Sequence, residues 1–292
     1  MNFAERVRRA ASEYAANPVR YFIIPRQGKI LVLHFYGDES FGRQGGGSNG
    51  CCLFAGYLTD SETWGNLSDE WKSVLDSDPK INYFRMRDCF ALEEEFVRFS
   101  RIEADKKLDH LIGVIENFAA NLYWVDSILT WDIFTHAVAK ASPKLSSLGA
   151  VSHPYYFCAL GAIRSAFQGV ESVRAQVGGP QIMPIHFTFD DQVGMEQTVF
   201  DAFKIFKALK PKISPALGSI EFGDDKKLIP LQCADLLAWH DRRDYIRPAE
   251  DGGKSRKEWE RLKAATYGSL SHRWDESSLR TFFEDANSVF VP

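Results

Sequence analysis

Cysteine is scarce in this chain and poorly placed for metal: its five residues (Cys51, Cys52, Cys89, Cys158 and Cys233) are odd in number and never fall at C-x-x-C spacing. That usage speaks against a zinc ribbon and against a disulfide framework, and fits reduced thiols in a cytoplasmic setting. No apolar run approaches the length of a membrane span, and the first residues lack the apolar core of a signal peptide. A cytoplasmic protein with no membrane partner is therefore expected. Basic excess is missing too. With 35 Lys and Arg against 39 Asp and Glu the net charge is -4, which argues against coating nucleic acid through bulk charge and leaves room only for local basic patches. The glycine-rich stretch from Phe41 to Gly50 has no lysine followed by Ser or Thr, so it does not read as a phosphate-cradling P-loop.

What is present is enough apolar content, 45% of 292 residues, to bury a sizeable core in one large domain or two small ones. The run Leu31-Val32-Leu33-His34-Phe35-Tyr36-Gly37 followed by Asp38-Glu39-Ser40 predicts a buried strand from about Lys29 to Asp38 that stops in carboxylates. Asp38 either caps the turn or carries chemistry. A helix over Asn2 to Ala16, with Arg6, Arg8 and Arg9, and a short strand over Tyr21 to Ile24 precede it. Cys51 to Leu58 predicts a second strand, antiparallel to the first. Ser61 then reads as the N-cap of a helix to about Leu75, burying Trp64, Leu67, Trp71 and Leu75.

Further on, Ile81 to Met86 alternates as a short strand delivering Arg87 and Asp88. A helix is carried by Leu108, Leu111, Ile112 and Ile115, a strand by Asn121 to Leu129, with Asp126 pointing off it, and helices by Trp131 to Ala139 and Pro154 to Val170. Ile182 to Asp191 repeats the opening pattern, an aromatic strand ending in Asp190-Asp191. A helix from Val193 to Leu209, a strand from Ala216 to Phe222 and a helix opened by Pro230 follow. The last of these places Asp235 among Cys233, Ala234, Leu236, Leu237 and Ala238, where an acid is either paired or functional. The tail is read as helical, around Arg256 to Tyr267 and Leu279 to Asn287.

Asp38, Asp190 and Asp235 are thus three acids at strand ends and on an apolar helix. If they meet at one sheet edge they form a hard oxygen site suited to Mg²⁺ or Mn²⁺, ions able to serve phosphodiester hydrolysis. A fourth acid could come from Asp88, ranked ahead of Asp191, or from Glu39, which strand alternation sends to the opposite face. His186 and His240 read more simply as core histidines. Arg43, Lys204 and Lys207 are basic candidates for drawing substrate phosphates. A haloacid-type phosphatase is not matched, because Asp38-Glu39-Ser40 lacks the D-x-D strand end.

The segments Tyr36-Gly37-Asp38-Glu39-Ser40 and Leu231-Gln232-Cys233-Ala234-Asp235-Leu236-Leu237-Ala238, with Phe189-Asp190 between them, resemble the motifs of the bacterial family called domain of unknown function 3800. The likeness spans about Lys29 to His240 and departs at Phe41, where that family usually has glycine. The resemblance implies an α/β chain with a ribonuclease H-like mixed central sheet flanked by helices, and Asp38, Asp190 and Asp235 as metal ligands. On this basis residues 29–245 form the core, 1–28 an N-terminal helix and connector, and 246–292 a helical C-terminal extension packed on the core. The expected function is a metal-dependent nuclease or related phosphoryl-transfer enzyme acting on RNA or DNA. Its alternative is an inactive binding or scaffold protein of a bacterial defence or mobile-element system.

Overall fold

The computed structural model describes residues 32–41, 50–140, 153–177, 184–192, 194–211, 217–246 and 256–290. The helix predicted over Asn2–Ala16, the strand over Tyr21–Ile24, the start of the first long strand and Arg43 with most of its glycine-rich loop lie outside the described residues.

Strand β1 (Leu33–Phe41) and β2 (Cys51–Asp60) form the expected antiparallel hairpin, with Leu33 opposite Asp60 and Phe41 opposite Cys52. Gly37 stands opposite Gly56. A Cβ on Gly56 would lie 1.9 Å from the Tyr36 carbonyl oxygen and 2.7 Å from the Gly37 Cα, so only glycine lets the strands approach this closely. Every residue of β2 is buried, because its alternate side chains enter two different cores.

Helix α1 (Ser61–Asp76) follows directly. Its N-cap is Asp60 and not Ser61: the Asp60 carboxylate accepts the Glu62 and Thr63 amides at 3.0 Å each. Both residue types cap well, but the carboxylate also suits the positive helix end. Trp64, Leu67, Trp71 and Leu75 are buried as their spacing predicts. The segment from Ile81 to Met86 is not a strand. Ile81, Phe84 and Met86 are buried, yet the Phe84 amide donates to the Gln232 side chain and the Met86 amide to Asp235. Side-chain acceptors thus replace a strand partner, and alternation here reports burial without pairing. The chain turns at once into a short helix, α2 (Met86–Ala91).

Helix α3 (Arg101–Asn117) starts at a capping box of Ser100 and Glu103. Then come β3 (Tyr123–Thr130), α4 (Trp131–Lys140), α5 (Pro154–Val177), β4 (Ile185–Asp190), α6 (Glu196–Leu209), β5 (Leu217–Gly223) and α7 (Ile229–Ile246). The tail supplies α8 (Lys257–Ala264) and α9 (Glu276–Phe290), as expected, and also a strand between them, β6 (Gly268–Arg273). That strand pairs parallel to β3 as one edge of the main sheet.

The six strands lie in the order β5-β4-β1-β2-β3-β6. Strand β2 is antiparallel to both its neighbours, while the β1–β4, β4–β5 and β3–β6 pairs are parallel. The chain is therefore α/β with a mixed sheet and helices on both faces. One core packs Phe35, Phe54, Val125, Phe187 and Phe189 against α4, α5, α6 and α9. The other packs Leu53, Ala55, Tyr57 and Ile128 against α1, α3, α7 and α8. No helix among the described residues is long and apolar enough to cross a membrane.

Candidate metal centre

Asp38 does not end its strand; β1 continues through Glu39 and Ser40 to Phe41. What ends beside it is β4. Gly37 pairs with Phe189, and β4 stops at the next residue, Asp190. The two acids are consequently level on adjacent parallel strands. Asp38 lies opposite Ala55, a residue of the core beneath α7, so it faces the helix that carries Asp235.

Glu39 faces the other way, as alternation requires, and its carboxylate accepts the Tyr155 hydroxyl of α5 at 3.5 Å. It nevertheless joins the site. Asp38, Glu39 and Asp190 each offer a carboxylate oxygen within 4.8 Å of the others. Beyond Asp190 no β4 residue flanks β1, so a side chain from either face can reach round the end of the sheet. The Asp38 carboxylate also accepts the Glu39 amide at 2.8 Å. This buried triad can hold a metal ion.

All three acids are raised above the usual carboxylate range, with burial the largest cause. Burial, with the charges of Glu39, Asp235 and Asp190 behind it, pushes Asp38 well above the usual carboxylate range. Burial first and Asp190 second carry Glu39 up to about 8. Burial and Asp225 raise Asp190 to about 6 against the pull of Arg85, and burial raises Asp235 to about 7 against the Met86 amide. Among the described residues none of the triad forms an ion pair.

Asp235 is close enough to raise Asp38 and Glu39, but it stands outside the triad and one of its oxygens accepts the Met86 amide. Asp88 sits in the first turn of α2, almost fully buried. One oxygen takes the Arg87 Nε at 3.2 Å and the other has no hydrogen-bond partner. Among the described residues it is not one of the converging acids, whereas Glu39 is. Asp191 donates its amide to the Gly223 carbonyl on β5 and is likewise outside the triad.

A cation that the sequence did not mark, Arg85, acts on the site. Arg85 makes a bidentate ion pair with the buried Asp225, and the charges of Asp190 and Asp235 act on the same guanidinium. Gln232 fixes this corner: its amide donates to the Asp225 carbonyl at 2.9 Å, and its oxygen accepts Trp71 Nε1 at 3.0 Å and the Phe84 amide at 3.2 Å. Arg242 of α7 donates to the Ser40 hydroxyl at 2.7 Å. Lys204 and Lys207 are elsewhere, on α6, which packs against the opposite core. Lys204 stands 3.9 Å from Asp201 and Lys207 lies over the Phe203 ring at 4.4 Å.

Neither histidine belongs to the converging group. His186 stacks on His34 with ring centroids 5.2 Å apart and shares a 2.8 Å hydrogen bond with Ser219. His240 is buried, with burial and the nearby Arg256 and Arg243 lowering its pKa to about 3.

A second buried acid pair, Asp126 and Asp241, is also raised above the usual carboxylate range by burial, even with Arg273 beside it. Asp126, which sequence alternation sends off its strand, is fully buried on β3, level with Ala55 and so in the same row as Asp38. It is ion-paired with Arg273 and accepts the Ser271 hydroxyl, both from β6, and interacts with Asp241 of α7. No family description, curated protein or solved structure matches the chain.

Proposed function

We propose that this chain is a metal-dependent nuclease, or a related phosphoryl-transfer enzyme, of ribonuclease H-like architecture. Sequence motifs resembling the domain of unknown function 3800 family and the order β5-β4-β1-β2-β3, with β2 alone reversed, support the architectural part. The observation that carries the reading is the convergence of Asp38, Glu39 and Asp190 within 4.8 Å. Oxygen-only donors with no competing Cys or His favour Mg²⁺ or Mn²⁺ over zinc or copper.

When bound, a divalent ion of this kind activates water and steadies the leaving oxygen of a phosphodiester. The chain's own groups do the rest. Asp38, Glu39 and Asp190 hold the ion, and Asp235, oriented by the Met86 amide, stands ready as a further acceptor for ligand or water. Tyr155 orients Glu39. Arg85, held by Asp225 at the rim, presents positive charge to a non-bridging phosphate oxygen, and Arg242 adds a second guanidinium beside Ser40.

Incubation of RNA and DNA with Mn²⁺ and the wild type, Asp38→Asn or Glu39→Gln tests the reading. Cleavage should fall about a hundredfold or more in either variant, since even the outer partners of metal ligands are worth about ten- to a hundredfold. Equal cleavage by all three proteins overturns the assignment. Metal binding without cleavage of any substrate would favour the binding or scaffold alternative.

A further inference from the structure

One helical turn beyond the acids, α2 and α7 expose an aromatic surface. The Met86 amide meets the Asp235 carboxylate. One turn along each helix stand Phe90 and Trp239, with ring centroids 5.2 Å apart and planes tilted by 46°. The two helices are therefore side by side in matching register at this point. A turn further on α7, the Arg243 guanidinium lies 5.0 Å from the Phe90 ring and 4.9 Å from the Trp239 ring. Phe90 keeps 48% of its surface exposed. Its backbone is nonetheless fixed, because Arg101 donates to the Phe90 and Cys89 carbonyls at 3.0 and 2.9 Å. An exposed ring on anchored backbone, braced by a second ring and a guanidinium, is a surface on which a planar group can stack.

We propose that Phe90, Trp239 and Arg243 form a stacking platform for a base of single-stranded nucleic acid whose neighbouring phosphate lies at Asp38, Glu39 and Asp190. The proposal rests on the nuclease reading and narrows it to unpaired strands. A paired base inside a duplex presents no free face, whereas every unpaired base has one. Charge points the same way. With a net charge of -4 the molecule cannot rely on bulk attraction to a polyanion, so local guanidinium groups and stacking must supply the affinity. The platform brings both, and Arg87, on the same short helix with 72% of its side chain exposed and its Nε paired with the buried Asp88, adds a further guanidinium.

The test is fluorescence anisotropy of labelled oligo(dT) and oligo(U), and of a blunt duplex, in EDTA so that cleavage plays no part. Wild type should bind the single strands more tightly than the duplex. Phe90→Ala should weaken single-strand binding about tenfold, while Phe90→Tyr, which keeps the ring, should bind like wild type. Indistinguishable binding by wild type and Phe90→Ala, preference for duplex, or no binding of single strands by wild type overturns the proposal. The last result would leave the exposed ring to a protein partner. Phe90-dependent binding without Mn²⁺-dependent cleavage would sink the nuclease reading alone. Cleavage accompanied by Phe90-independent binding would sink the platform alone.

Discussion

Three carboxylates within 4.8 Å of one another cannot all ionise in a buried setting without a cation, and Glu39 shows the consequence most clearly. Its proton leaves at about 8 in the folded chain against an ordinary 4.5. Between those values the folded chain holds a proton that the unfolded chain has released. Stability from this group is therefore full below 4.5 and is lost as pH rises through about 8. Scanning calorimetry of the metal-free protein should show Tm falling across that window, with Glu39→Gln flattening the slope and raising Tm by a few degrees at its alkaline end. An unchanged slope in the variant would mean that Glu39 is already compensated. Asp38 and Asp190 were legible as candidates because each follows an aromatic run, and Asp235 because it interrupts an apolar helix, although it stands outside the converging group. Glu39 was a weaker candidate: alternation gave its face, and it is the end of β4 at Asp190 that lets that face reach the site. Arg85 was hidden because its partners, Asp225 and the acids, are distant in sequence.

Among the elements, β1, β2 and their hairpin were readable from apolar runs separated by a glycine-rich loop, and α1, α3, α5 and α7 from helical spacing. The segment from Ile81 to Met86 misled because a buried coil held by Gln232 and Asp235 shows the same alternation as a strand. Strand β6 escaped because Gly268-Ser269-Leu270-Ser271-His272-Arg273 is an edge strand with alternate residues exposed and little apolar content. The hairpin's tightest point gives a direct check. Gly56→Ala would drive a Cβ to within 1.9 Å of the Tyr36 carbonyl, two residues before Asp38. Urea unfolding should show a loss of about 1–3 kcal/mol, the range for overpacking, or more if backbone must shift. A variant as stable as wild type would place the strands further apart than their register implies.

At the scale of the molecule, one row crosses the sheet from Asp190 on β4 through Asp38 on β1 and Ala55 on β2 to Asp126 on β3. Helix α7 contributes Asp235 beside the first acids and Asp241 beside the last. The two ends differ in their cations. Arg273 pairs with Asp126, whereas at the Asp38 end Arg85 is paired with Asp225 and Arg242 donates to the Ser40 hydroxyl. Among the described residues, Asp126 thus has an ion-pair partner, whereas Asp38, Glu39 and Asp190 have none. The α/β class was legible from strands alternating with helices, and the mixed, helix-flanked sheet was what the family resemblance implied. The parallel edge at β6 and the Arg273–Asp126 ion pair depend on the last segment returning to β3, which no local pattern announces. Calorimetric titration with Mn²⁺ tests the central claim most directly. Wild type should bind the ion, with affinity that falls as pH drops below about 8 and Glu39 takes up its proton, and Asp38→Asn should lose the binding heat. Equal heats from wild type and Asp38→Asn, or no binding by wild type, would contradict it.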